Sequence, residues 1–143
     1  MEFQEWQASV PEEIVRDALW RMEVYRLALY AGELAWQDVG QLAEDRRTVG
    51  LADQLYRAVG SIGANIAEGY SRGSGRDQVR FYEYALGSAR EARGWYYHGR
   101  HVLPEGVAGN RIDLLTRIIR SLLAIIPAQR ETRVREDEAH YDV

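Results

Sequence analysis

The chain has 143 residues, a formal net charge of −4, 46% hydrophobic and 28% charged residues, and no cysteine. That balance suits one globular domain and excludes a disulfide scaffold, a thiolate metal site and global disorder. No run approaches the ~18 consecutive apolar residues of a membrane span, and the acidic start (Glu2, Glu5, Glu12, Glu13) is unlike a secretory leader, so a cytoplasmic protein is expected.

Residues 1–11 lack sustained periodicity and read as a mobile arm. A first helix is expected from Pro11-Glu12-Glu13, a suitable N-terminal turn, to about Trp36. Val15, Leu19, Met22, Tyr25 or Arg26, and Leu29 recur at helical spacing with Ala18 and Ala28 beside them, and a charged connection follows from Gly40 to Val49. A second helix runs from about Thr48, a plausible cap, to Gly69, with Leu51, Leu55, Val59, Ile62 and Ile66 as its stripe. Gly60 and Gly63 point to close approach of another backbone, and Gly69 suits a C-terminal cap.

The run Ser71-Arg72-Gly73-Ser74-Gly75 is a tight loop into a third helix, capped by Ser74 or Gly75 with Asp77 in its first turn. Val79, Tyr82, Leu86, Ala89 and Tyr96 are its core candidates, and Leu103-Pro104-Glu105-Gly106 breaks it. A fourth helix spans about Ala108 to Ile126 and stops at Pro127. Ile112, Leu115, Ile119, Leu122 and Ile126 form one apolar stripe; Leu114, Ile118 and Ile125 form a second edge, which reads as an oligomer interface. Residues 12–127 are therefore expected to form an all-α, antiparallel up-down-up-down four-helix bundle, with 128–143 a mobile charged tail.

The most distinctive stretch is Ser61-Ile62-Gly63-Ala64-Asn65-Ile66-Ala67-Glu68-Gly69, preceded by Gly50-Leu51 and Gln54-Leu55-Tyr56-Arg57-Ala58. Arg72 and Ser74 follow it, then Phe81-Tyr82, Ala85-Leu86-Gly87-Ser88 and Glu91. On these residues the chain resembles the ribosomal-RNA intervening-sequence proteins, a four-helix-bundle family, with Gly63 where the family pattern has proline. The resemblance implies a bundle often assembled as a ring-like pentamer, with RNA association suggested by the genes in which many members lie. A more distant similarity is to the accessory bundle proteins of diversity-generating retroelements, which are basic where this chain is acidic.

Asn65, Glu68, Arg72, Ser88 and Glu91 read as an interhelical polar network between the second and third helices, in preference to a ligand pocket. All 18 bases are arginine, and Arg72, Arg76 and Arg80 recur every four residues as a candidate nucleic-acid contact with a salt-dependent affinity. A solvated helix face laced with Asp77, Glu83 and Glu91 is the simpler reading of that ridge. No catalytic, cofactor or metal residue is assigned. Glu68 and Glu91 with His98 or His101 are the only metal candidates, and no Glu-x-x-His occurs. The expectation is a non-enzymatic, self-assembling interaction module with a protein or RNA partner; the alternatives are structured-RNA binding through the ridge and, less favoured, a bundle-core enzyme.

Overall fold

The computed structural model describes the backbone of residues 1–141 and the side chains of residues 1–129. Six α-helices occur among the described residues: α1 (Phe3–Ser9), α2 (Glu12–Val15), α3 (Glu23–Leu42), α4 (Val49–Tyr70), α5 (Gly75–Gly99) and α6 (Val107–Tyr141). A 3-10 turn at Ala18–Arg21 separates α2 from α3. The four long helices pack in a closed circuit: α3 on α4, α4 on α5, α5 on α6, and α6 back on α3. They enclose one continuous apolar cluster that includes Leu27, Leu55, Ile62, Ile66, Tyr82, Leu115, Ile118 and Leu122.

The expected stripes of the last three long helices face this core. Leu55, Val59, Ile62 and Ile66 are buried on α4, Val79, Tyr82, Leu86, Ala89 and Tyr96 on α5, and Leu115, Ile119, Leu122 and Ile126 on α6. Ser74 caps α5 as expected, its hydroxyl accepting from the Asp77 amide at 3.3 Å.

The first helix differs from the sequence reading. The chain breaks between α2 and α3, and this break resets the helical phase. Val15 is 37% exposed, and α3 instead buries Val24, Leu27, Ala28, Ala31, Ala35, Asp38 and Leu42. A polar residue inside that stripe hid its true register. The aperiodic residues 1–11 also contain a helix, α1, whose Trp6 is buried against Phe3, Trp20 and Tyr30. Aromatic packing, not periodicity, sets that segment.

Three local expectations are corrected. Gly69 is no cap: α4 runs on to Tyr70, Ser71 takes the C-cap position, and Gly69 is needed because Tyr82 lies against it. A Cβ built on Gly69 would fall 2.6 Å from the Tyr82 ring. Thr48 takes the N-cap position of α4 as expected, but its side chain makes no cap bond; its buried hydroxyl instead donates to the Leu42 carbonyl at 2.6 Å and ties the end of α3 to the loop. Pro127 does not stop α6, which continues to Tyr141. Proline removes one backbone donor, and the hydrogen bonds on either side carry the helix past it. The acidic residues Glu136, Asp137, Glu138 and Asp142 of the expected tail lie outside the residues whose side chains are described.

Candidate functional site

Polar chemistry in the interior centres on Asp38, which the sequence reading passed over. Its carboxylate is 2% exposed and receives the Tyr96 hydroxyl at 2.7 Å. The Arg111 guanidinium also donates to it, from Nε at 2.7 Å and Nη2 at 3.2 Å. α3, α5 and α6 are thereby pinned at one point by a two-pronged ion pair plus a phenol. Burial raises the Tyr96 hydroxyl above its ordinary range, and the Asp38 carboxylate adds to the rise. For Arg111 burial acts to lower the guanidinium, but hydrogen bonding and attraction to Asp38 raise it. One Asp38 oxygen is shared by two donors and the other is engaged by the guanidinium, so the group has the character of a clamp, not of a free base. Only its wide sequence spacing concealed it: 38, 96 and 111 share no motif.

The expected polar network separates into two parts. Asn65 donates from Nδ2 to the Ser61 carbonyl and to Ser61 Oγ, both at 2.9 Å, and Ser88 Oγ donates to Ser61 Oγ at 3.0 Å. Ser61, not assigned from sequence, is thus the hub that joins α4 to α5. Glu68 and Arg72 form their own exposed pair at 3.0 Å, one helical turn apart. That pair lies at the end of α4 alone, and Arg72 reaches α5 instead through the Phe81 ring and through its carbonyl, which accepts from Gln78 Nε2 at 3.4 Å. Glu91 lines an open cleft of about 530 Å³ with Ser61, Asn65, Glu83, Tyr84, Gly87 and Ser88.

The arginine ridge is present with its charge partly engaged. Arg72 and Arg80 flank one ring, their guanidinium carbons 4.6 and 5.0 Å from the Phe81 centroid. Arg80 also approaches Asp77 at 3.9 Å. Arg76 is exposed and forms no ion pair among the described residues. Phe81 organises this corner; an aromatic one residue after Arg80 is the signal for it.

The α6 interface assignment fails at its centre. Ile118 is 0% exposed and belongs to the chain's own core. Leu114 and Ile125 are half-buried and pack against the same cluster. The reason is geometric: α6 is flanked by both α5 and α3, so two stripes are needed within a single chain. Exposed apolar surface lies elsewhere. Trp36 is 71% exposed and meets Tyr56 edge-on at 5.9 Å across α3 and α4. On the same pair of helices Tyr25, Leu29, Gly32, Gly60, Gly63, Ala64 and Ala67 line a groove of about 300 Å³. A Cβ on Gly63 would meet Leu29 and Ala28 at ordinary contact distance, while Gly60 faces open space. The expected close backbone approach at these two glycines is therefore a shallow groove.

Among the described residues no group of three or more histidine or acidic side chains is placed to hold a metal. His98 and His101 are exposed, and His98 lies beside the rings of Trp95 and Tyr97. No described helix is long and apolar enough to cross a membrane.

The fold has a known counterpart. A crystal structure of a protein of unknown function from the S23 ribosomal protein family of Bacteroides thetaiotaomicron superposes with a TM-score of 0.67 at 23% identity, covering 72% of this chain and 97% of that one. That likeness concerns the fold alone. No curated protein matches the sequence. The model of the 23S rRNA-intervening sequence protein family matches residues 21–122, from the end of the 3-10 turn to Leu122. The matched stretch holds the Asp38 clamp, the Ser61 hub and the α3–α4 groove, and the chain belongs to the 23S rRNA-intervening sequence protein family.

Proposed function

We propose that this protein is a non-enzymatic, cytoplasmic scaffold whose four long helices form an antiparallel up-down-up-down bundle and whose copies assemble into a ring. The short connections at 43–48, 71–74 and 100–106 and the closed circuit of helix contacts support the bundle. One observation carries the assembly reading. Trp36, held on a long helix, exposes 71% of its surface beside Tyr56 and near a groove floored by small residues. Large aromatics beside concave small-residue surface are the usual energetic centre of protein contacts. The assembling face is thus moved from Leu114, Ile118 and Ile125 to α3 and α4. A five-membered ring is what the family resemblance implies.

The test contrasts two exposed apolar positions. Trp36→Asp should weaken self-association about 30-fold or more, the effect of losing a binding hot spot of ~2 kcal/mol. Leu123→Asp, on the opposite pair of helices, should leave it unchanged. Equal assembly by the Trp36 variant and the wild type overturns the choice of face.

A second reading, RNA binding, is favoured by the Arg72–Phe81–Arg80 stack with Arg76 exposed beside it. Replacing all three arginines with alanine should lower the slope of log affinity against log salt by about 2–3 for a structured RNA. An unchanged slope removes these residues from any RNA contact.

A further inference from the structure

The first ten residues are built differently from the rest of the chain. They lie outside the stretch that matches the family model. At seven residues, α1 is too short to hold as a helix by itself, so its order comes from docking. Trp6 and Phe3 close on Tyr30 of α3 at ring separations of 5.4 and 5.2 Å, and Trp6 also meets Trp20 at 6.0 Å. The Tyr30 hydroxyl donates to the Met1 carbonyl at 2.7 Å, and Arg26 Nη1 donates to Gln7 Oε1 at 2.8 Å. On the α6 side, Glu2 and Phe3 share a cleft of about 270 Å³ with Leu114 and Arg117.

The tether between this plug and the body is not packed. Every residue from Pro11 to Ala18 is exposed, including Ile14 and Val15 at 39% and 37%. The tether is coiled by the single turn of α2, which is too short to hold by itself; unwound, its eight residues reach at most about 26–29 Å, close to the ~30 Å length of a 20-residue helix such as α3. An aromatic anchor on an unpacked tether of that reach is free to make identical contacts on an adjacent copy, because no packed contact of the tether is lost. A copy held alongside raises the local concentration of its arm toward that of the chain's own.

We propose that the α3–α6 surface beneath α1 is a docking site for the N-terminal arm of a second copy, so that arms are exchanged between neighbours in the assembled protein. The occupant follows from what the surface already accepts: a short helix with aromatics three residues apart, a carbonyl for Tyr30 and an amide side chain for Arg26. The proposal rests on the self-assembly reading, and it adds a second, arm-mediated contact distinct from the Trp36 face.

The absence of cysteine makes the test direct. A size-tagged full-length chain carrying Gln7→Cys is co-produced with an untagged chain carrying Arg26→Cys, and the purified mixture is treated with a short bismaleimide. The expected result is a cross-linked product at the summed mass of one tagged and one untagged chain. Adding Trp6→Ala to the tagged chain should abolish it, and Trp6→Phe should largely retain it. A chain carrying both cysteines reports whether the arm docks at all. Cross-linking within that chain, with no mixed product between the single variants, overturns the exchange. No cross-link of either kind overturns the docking site itself. Light-scattering mass of the wild type reads self-assembly independently: a multimer without mixed product sinks only the arm proposal, whereas a monomer sinks the assembly reading as well.

Discussion

Tyr82 and Gly69 show how tightly single residues are fitted. With a Cβ at position 69 placed 2.6–2.8 Å from the Tyr82 ring, Gly69→Ala should cost about 1–3 kcal/mol in a urea denaturation series. Gly94→Ala, in the interior of α5 where a Cβ meets nothing within 4 Å, should instead stabilise by roughly 0.5–1 kcal/mol. Equal effects of the two would contradict the packing described. The Asp38 clamp gives a sharper expectation. Asp38→Ala leaves a largely buried guanidinium and a phenol without their shared acceptor, a loss of about 3–5 kcal/mol. The raised Tyr96 hydroxyl means that the folded chain holds this proton more tightly than the unfolded one. Its contribution is complete below the ordinary value of 10.0 and declines as pH rises beyond that. Stability measured at about pH 9 and about pH 11 should therefore fall, and the fall should be smaller in Tyr96→Phe. Some decline remains in that variant because Tyr25, Tyr30 and Tyr82 are raised too. An unaltered decline would mean that Tyr96 is not the group responsible.

At the level of elements, α6 gives the most direct correction. Because Ile118 sits in the chain's own core, Ile118→Glu should lower stability by about 4 kcal/mol or more, not release folded monomers. Folded, monomeric protein from that variant, seen by circular dichroism and light scattering, would restore the interface first read from the sequence. Helices α4, α5 and the apolar part of α6 were legible because uninterrupted stripes such as Leu55, Val59, Ile62 and Ile66 leave one helical phase open. Three features escaped periodicity for separate reasons. The α3 stripe contains Asp38, whose partners lie 58 and 73 positions away. α1 is too short to show a period and is set by contacts with Trp20 and Tyr30. Ser61 became the hub of the Asn65–Ser88 contact through helix crossing, which no local spacing encodes. The arginines and acids were found in sequence, yet which of them pair was not: Arg72 takes Glu68 and the Phe81 ring, and Arg117 crosses to Glu23 at 2.7 Å.

Across the described residues, the interior is closed and its buried Asp38 and Thr48 side chains are hydrogen-bonded, with Arg26 Nε and Trp95 Nε1 the buried side-chain nitrogens left without a partner, while the distinctive chemistry faces outward. The α3–α4 face offers Trp36, Tyr56 and a groove; the α4–α5 corner offers arginines around Phe81; α1 covers the α3–α6 side on an unpacked tether. That distribution suits a part that meets other macromolecules. On the proposed readings, assembly and RNA contact fall on different faces, so the two proposals are separable by mutation. Sedimentation equilibrium of purified, nuclease-treated wild type beside Trp36→Asp tests the central claim most directly. The account predicts a wild-type multimer that survives nuclease and a variant shifted toward the monomer mass of 16.4 kDa with an unchanged helical spectrum. A wild type that is monomeric at all concentrations, or a variant that assembles equally well, would contradict it.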